Sequence, residues 1–465
     1  MNITASDSLT AQSFLKDSQV LAARQAVLDA LQKHQEQITG VRAADPAREQ
    51  GYAETIAAFS NVRGGKLVFP YLAAGIGRGA LVELADGSVK YDFINGIGVH
   101  HLGHSHPKLV AAAFDAALTD TIMLGNLQQN EASFEFSKEL LDAANANGAG
   151  FDHCFLSSTG VMAGENALKI AMQKKHPAGR VLAYEDCFAG RTMTFSQITD
   201  KPGFRAGLPS TLSVDYVPFC DAANPQESTK QAVTVLKRHL ARYPGQYAAM
   251  VMELVQGEGG FNLATTDFHR AIMQVLREHG VAVLVDEVQT FGRTPELFAF
   301  QHYGLDDLVD LVWVGKASQV CATLYKADYK PKPGLLSQTF TASASAVAAG
   351  RVILDELISG DYFGAQGKIA GLSTHFESRL EAIAERHPDR LTGPYGIGAM
   401  VACTPLGGDA KQVGAFVQRL FENGVIGFIA GANPTRARFL VPVGAVEAED
   451  IDNVCAIIES TLVSM

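Results

Sequence analysis

Three stretches of the chain place a reactive side chain directly after an apolar run, where a buried strand would deliver it to a ligand. The first is Lys316, which ends DLVDLVWVGK behind the small Gly315. A lysine at the mouth of an apolar strand loses hydration, which disfavours the ammonium and frees the amine to form an imine with an aldehyde. Taken alone, such a lysine also has the option of snorkelling to solvent. The second is Asp286 in VAVLVDEVQT. A carboxylate after an unbroken apolar run is costly to bury unless it meets a cation. A protonated pyridine nitrogen is one such cation, and keeping it protonated makes the ring an electron sink. A helix cap or a structural ion pair is the plainer alternative. The third is FLSSTGVMAGENALKIAM, which reads as strand, short polar loop and helix. Ser158, Thr159, Gly160 and the Val161 amide would there face an anion such as a phosphate, because free N–H groups and the helix dipole point at the loop. Such loops also serve only as caps.

Short apolar runs and helical patterns alternate around these residues. FDHCFLS, RVLAYED, YAAMVMEL, VAVLVDE and LVDLVWV read as strands, and GENALKIAMQKKH and TDFHRAIMQVLREHG as helices between them. This alternation predicts βα units and a largely parallel sheet buried on both faces, whose ligands bind at the carboxyl ends of the strands. Residues from about 10 to 60 read as helices with polar breaks, and ALVELADGSVKYDFING as a hairpin turning at Asp86-Gly87. A long helical pattern, AVAAGRVILDELI, opens a second, smaller domain near residue 345. The expected division is 1–80 joining the small domain, 81–345 as the large domain, and 346–465 completing the small one.

Composition narrows the function classes. At 465 residues, 47% hydrophobic and 19% charged, the chain suits a two-domain globular enzyme. Its net charge of −11 argues against nucleic acid as a partner. Six cysteines lie scattered without a C-x-x-C pair, which favours reduced thiols over disulfides or zinc. No basic-then-apolar leader or long apolar span is evident, so the expected compartment is the cytoplasm.

The order and spacing of these pieces resemble the class III aminotransferases, pyridoxal-phosphate (PLP) enzymes of fold type I. The likeness runs from about Tyr91 to the C-terminus through YDFINGIGVHHLGHSHP, FLSSTGVMAGENALK, FAGRT, MELVQGEGG, LVDEVQTFGRTPELFAF, VWVGK, SQTF and RFLVPV. It implies an α/β fold, with a mostly parallel seven-stranded type of sheet in the large domain beside a smaller α+β domain. By the resemblance, Lys316 holds PLP as a Schiff base and then shuttles a proton. Asp286 pairs with the pyridine nitrogen, Gln289 bonds the ring hydroxyl, and Phe188 stacks on the ring. Val288 also contacts the cofactor, while Thr159, Gly160 and Val161 hold its phosphate. Thr339 in SQTF matches a residue that reaches the phosphate from a neighbouring subunit, which implies a homodimer with its site at the interface. Arg191 in FAGRT matches an arginine that binds a substrate carboxylate, and a guanidinium fork suits that geometry. Glu258 and Arg438 match a glutamate–arginine switch: paired, the arginine is masked; opened, it binds the α-carboxylate of glutamate.

The chain also departs from the family pattern. Ala189 follows Phe188 where a polar or aromatic residue is common, Leu254 replaces a proline, and Met162 replaces a glutamate. DEVQTFGRT is one residue shorter than the usual motif, and GKASQVC is reminiscent of lysine 6-aminotransferases. His100, His101, His104 and His106 crowd together, but LGHSHP resembles the family's loop before a helix, with a proline near the helix start. No metal is expected. The implied reaction moves an ω-amino group from lysine, ornithine, acetylornithine or 4-aminobutyrate to 2-oxoglutarate, giving a semialdehyde and glutamate. The rivals are a mutase, epimerase or decarboxylase on the same fold, or a PLP-binding regulator without turnover.

Overall fold

The alternation of apolar runs with amphipathic helices resolves into a central sheet. A computed structural model describes residues 9–119 and 123–465. Seven strands lie side by side in the order His153–Ser157, Cys321–Tyr325, Leu311–Val314, Ala282–Asp286, Tyr247–Glu253, Arg180–Tyr184 and Ser213–Val217. All run parallel except Cys321–Tyr325, which pairs antiparallel with both its neighbours. The strands at the centre are buried along their length, as an apolar run covered on both faces must be, and only Asp286 at the exit of Ala282–Asp286 is partly exposed. The helices Gly160–Lys175, Pro225–Arg242 and Thr266–Glu278 connect them.

Two strands of this sheet are absent from the sequence reading. Ser213–Val217 lies at the sheet edge and carries Asp215, so it lacks a continuous apolar signal. Cys321–Tyr325 follows the Lys316 loop so closely that no turn residue separates the two elements.

The predicted hairpin forms between Leu81–Leu84 and Val89–Asp92. Gly87 at φ 83° supplies the left-handed turn position, and the Asp86 carboxylate accepts the Ser88 N–H at 2.9 Å. The hairpin's second strand also pairs with Val425–Ile426, so this small sheet joins early and late parts of the chain. A further antiparallel sheet runs in the order Leu391–Ile397, Met400–Pro405, Arg436–Leu440 and Phe428–Ala430. The helices Lys368–Arg386 and Ala448–Val463 pack together against this part of the chain. Residues 10–63 form three helices, Thr10–Leu15, Ser18–Gln35 and Pro46–Arg63, with few buried positions. All the cysteines are free, and all but Cys154 are buried. Among the described residues, no helix is long and apolar enough to cross a membrane.

Candidate active site

The residues singled out in sequence sit where the parallel strands end. Strand Leu311–Val314 stops at Gly315, and Lys316 begins a short turn of 3-10 helix with φ 53°. That left-handed backbone is unusual for a lysine and stores strain of about 1–3 kcal/mol at this position. The turn is held by Gln319, whose side-chain amide donates to the carbonyls of Val99 at 2.9 Å and Lys316 at 3.3 Å. Burial pushes the Lys316 amine down to about 8; the Arg438 charge adds to this, while Asp286 opposes it. A lysine so placed is a ready nucleophile near neutral pH.

Neighbouring strands bring the other groups to the same end of the sheet. Asp286 ends Ala282–Asp286 and stands in register with Trp313 on one side and Glu253 on the other. It accepts the Val288 N–H at 2.9 Å, and burial raises its carboxyl to about 7. Glu253 is buried, and its carboxylate accepts the N–H groups of Phe188 at 2.8 Å and Gly257 at 3.0 Å. Burial, reinforced by Asp286, raises Glu253 to about 8. Two adjoining acids pushed upward form a pocket that favours a cation between or above them. Glu253 was missed in sequence although it closes the apolar strand Tyr247–Glu253 just as Asp286 closes Ala282–Asp286; the same signal would have found it.

The loop after His153–Ser157 is built to take an anion. Thr159 caps the helix Gly160–Lys175 through its hydroxyl, which accepts the Met162 N–H at 3.2 Å. The amides of Gly160 and Val161 meet no acceptor among the described residues, so the helix start offers free donors. Ser158 and Thr159 are exposed beside them. Close packing welds this loop to the rest of the site. A methyl at Gly160 would lie 2.9 Å from Val288 Cγ2, and one at Gly315 would lie 3.3 Å from Val288 Cγ1 and 3.5 Å from Gly160 Cα. A methyl at Gly190, where φ is 143°, would lie 2.3 Å from Val161 Cγ2, which sets the FAGRT segment against the same helix start.

The two arginines differ in surroundings. Arg438, on strand Arg436–Leu440, is fully buried and ion-paired with Glu258. Its Nη1 also donates to Gln289 Oε1 at 3.3 Å, while Nε has no partner among the described residues. Arg191 is exposed, and no acid or hydrogen-bond acceptor meets its side chain among the described residues. Its guanidinium lies 4.0 Å over the ring of Phe204, which in turn meets Phe188 edge-on at 6.3 Å. No sequence signal marked Phe204.

Thr339 stands apart. It is exposed, its carbonyl crowds Gly125, and among the described residues no hydrogen bond ties it to the cluster. His104 Nε2 lies 3.0 Å from Asp92 Oδ2, the His100 ring lies tilted against His104 at 4.6 Å, and His101 is buried with both ring nitrogens unpartnered among the described residues. Among the described residues, no group of three or more His, Cys, Asp or Glu side chains is arranged to hold a metal ion.

A half-buried amine of lowered pKa, a half-buried carboxylate at a strand end and an open helix start thus converge, and they fit an aldehyde-bearing, phosphorylated, nitrogen-containing ring. Residues 66–462 match the family described as aminotransferase class-III. An acetylornithine aminotransferase of Methanocaldococcus jannaschii is 30% identical over 391 residues, covering 81% of this chain and 89% of the relative. A succinylornithine transaminase of Salmonella enteritidis is 30% identical over 374 residues, covering 77% of this chain and 85% of that one. The solved lysine aminotransferase of M. tuberculosis shares the fold at TM-score 0.77 and 23% identity, covering 88% of this chain and 99% of its own. The chain therefore belongs to the class III aminotransferases and is a PLP-dependent enzyme of fold type I.

Proposed function

We propose that this aminotransferase moves the ω-amino group of an N-acylornithine to 2-oxoglutarate, giving a semialdehyde and glutamate in two alternating half-reactions. The contrast between the two arginines carries this reading. Arg191 is free to clamp a carboxylate, whereas Arg438 is masked by Glu258. In the closed state the site offers one open arginine, which suits a donor whose reacting end bears no acid. Swinging Glu258 away frees Arg438 for the second carboxylate of glutamate, so one pocket serves two substrates of different charge. The curated relatives act, by name, on acylated ornithines, which supports that donor class. Lysine is the second reading, supported by the GKASQVC run after the lysine.

When bound, PLP supplies an electron-withdrawing ring that acidifies the C–H bond beside the reacting nitrogen. The protein's own groups do the rest. The Lys316 amine is the base that takes and returns that proton, with a pKa suited to both steps. Asp286 would hold the ring nitrogen protonated, and Gln289 would bond the ring hydroxyl. Phe188 and Val288 would pack on the ring, and Thr159 with the Gly160 and Val161 amides would hold the phosphate.

The same reading makes the enzyme a homodimer in which Thr339 serves the partner's site. Support comes from apolar side chains around it: Leu127 is 100% exposed, Phe340 55% and Met123 42%, an arrangement costly in a monomer. We also place the small domain in residues 1–80 and 346–465, around a large domain of 81–345. The donor is tested by titrating the holoenzyme with N-acetylornithine, ornithine, lysine and 4-aminobutyrate while following the cofactor's visible absorbance. N-acetylornithine is expected to bleach the band at the lowest concentration, and 2-oxoglutarate to restore it. Bleaching by lysine alone would overturn the acylornithine assignment, and bleaching by none of them would overturn the ω-donor reading.

A further inference from the structure

An arginine that must seize a carboxylate has conflicting needs. Its head has to be held still, yet an acidic partner that held it would occupy the same N–H donors. An aromatic face resolves the conflict, because it attracts the guanidinium plane and leaves the in-plane donors free. Arg191 has this kind of support. Its guanidinium lies 4.0 Å over the Phe204 ring, and no acid or hydrogen-bond acceptor meets it among the described residues. Phe204 is itself braced, since its ring meets Phe188 edge-on at an interplanar angle of 88°.

The loop that carries Phe204 is tied down at several points. Thr199 Oγ1 accepts the N–H groups of Ala189 at 3.0 Å and Gly190 at 3.1 Å, fixing the backbone that leads into Arg191. The Arg205 guanidinium donates to the Thr199 carbonyl at 2.7 Å, closing the loop on itself. Lys201 Nζ donates to the Glu258 carbonyl at 3.3 Å, so the loop also touches the segment that masks Arg438. We infer that Phe204 is a positioning residue that orients the Arg191 guanidinium for the substrate carboxylate. The inference rests on Arg191 being the carboxylate clamp proposed above.

The test uses the PLP-loaded enzyme and L-glutamate as probe, following loss of the cofactor's visible band in single turnovers. Half-saturating glutamate and limiting rate are measured for wild type, Phe204→Leu, Phe204→Tyr and Arg191→Gln. Phe204→Leu keeps an apolar side chain of similar bulk but removes the aromatic face, so the loop is expected to stay folded. It should raise half-saturating glutamate about fivefold with little change in limiting rate, as expected for loss of one cation–π contact. Phe204→Tyr should behave as wild type, because it keeps the face. If Arg191→Gln raises half-saturation but Phe204→Leu does not, or if Phe204→Leu lowers only the limiting rate, the positioning role is overturned. If Arg191→Gln itself leaves half-saturation unchanged, the carboxylate clamp fails and the inference falls with it.

Discussion

Replacing Gly160 by alanine tests whether packing against Val288 sets the loop proposed to bind phosphate. A methyl there would sit 2.9 Å from Val288 Cγ2 and 3.1 Å from Cγ1, against a comfortable carbon–carbon separation of about 3.5–4.0 Å. Val288 cannot easily yield. Its β-branched side chain is stiff, and its N–H is tied to Asp286 Oδ1 at 2.9 Å. Overpacking of this size costs about 1–3 kcal/mol. In the cofactor-free protein the helix start relieves the clash by backing away. Binding phosphate has to reverse that movement, so most of the cost falls on cofactor affinity. Expected is a rise of about 5- to 100-fold in the PLP dissociation constant. Trp313, the single tryptophan, stands in register with Asp286, so its fluorescence offers a direct titration signal. Val288→Ala removes both clashing carbons and should recover most of the loss in the double variant, a coupling measurable by a double-mutant cycle. A Gly160→Ala protein that binds PLP within about twofold of wild type, or one that Val288→Ala does not rescue, would refute the reasoning.

Three more expectations follow from the same geometry. Glu258→Ala leaves the buried Arg438 without its acid, so urea denaturation should show a loss of about 3 kcal/mol, and kcat/KM should shift toward glutamate relative to the ω-amino donor. An equal change for both substrates would count against the switch. Glu253 holds its proton in the folded state up to about 8, against 4.5 when unfolded, so ionising it costs stability as pH rises between those values. Melting of the cofactor-free protein from pH about 6.5 to 8, above the range of its depressed histidines, should therefore fall more steeply for wild type than for Glu253→Gln. Parallel curves would show that Glu253 ionises no higher in the folded chain than in the unfolded one. Leu127→Asp puts a charge on the exposed apolar patch beside Thr339; sedimentation should show a weakened dimer, and an unchanged dimer would move the interface elsewhere.

Much of the chemistry was legible because it is encoded locally. Lys316, Asp286 and the Ser158–Val161 loop each follow an apolar run in sequence. In a parallel sheet the chain direction alone places every strand's exit at one end. The helix over Gly160–Lys175 and the turn at Asp86-Gly87 are likewise dictated by cap and turn residues within a few positions. The roles proposed for Glu258 and Arg438 came from resemblance rather than from spacing, since 180 residues separate them. What only the tertiary structure decided is lateral adjacency. Strand order puts Glu253 beside Asp286, and an edge strand with weak apolar character, Ser213–Val217, joins the sheet without announcing itself. The Phe204 ring reaches Arg191 through a loop that has no periodic signal. Direction along a strand is a property of the chain, readable residue by residue; which strands and loops lie next to one another is settled by packing among distant segments, and no single stretch contains that information.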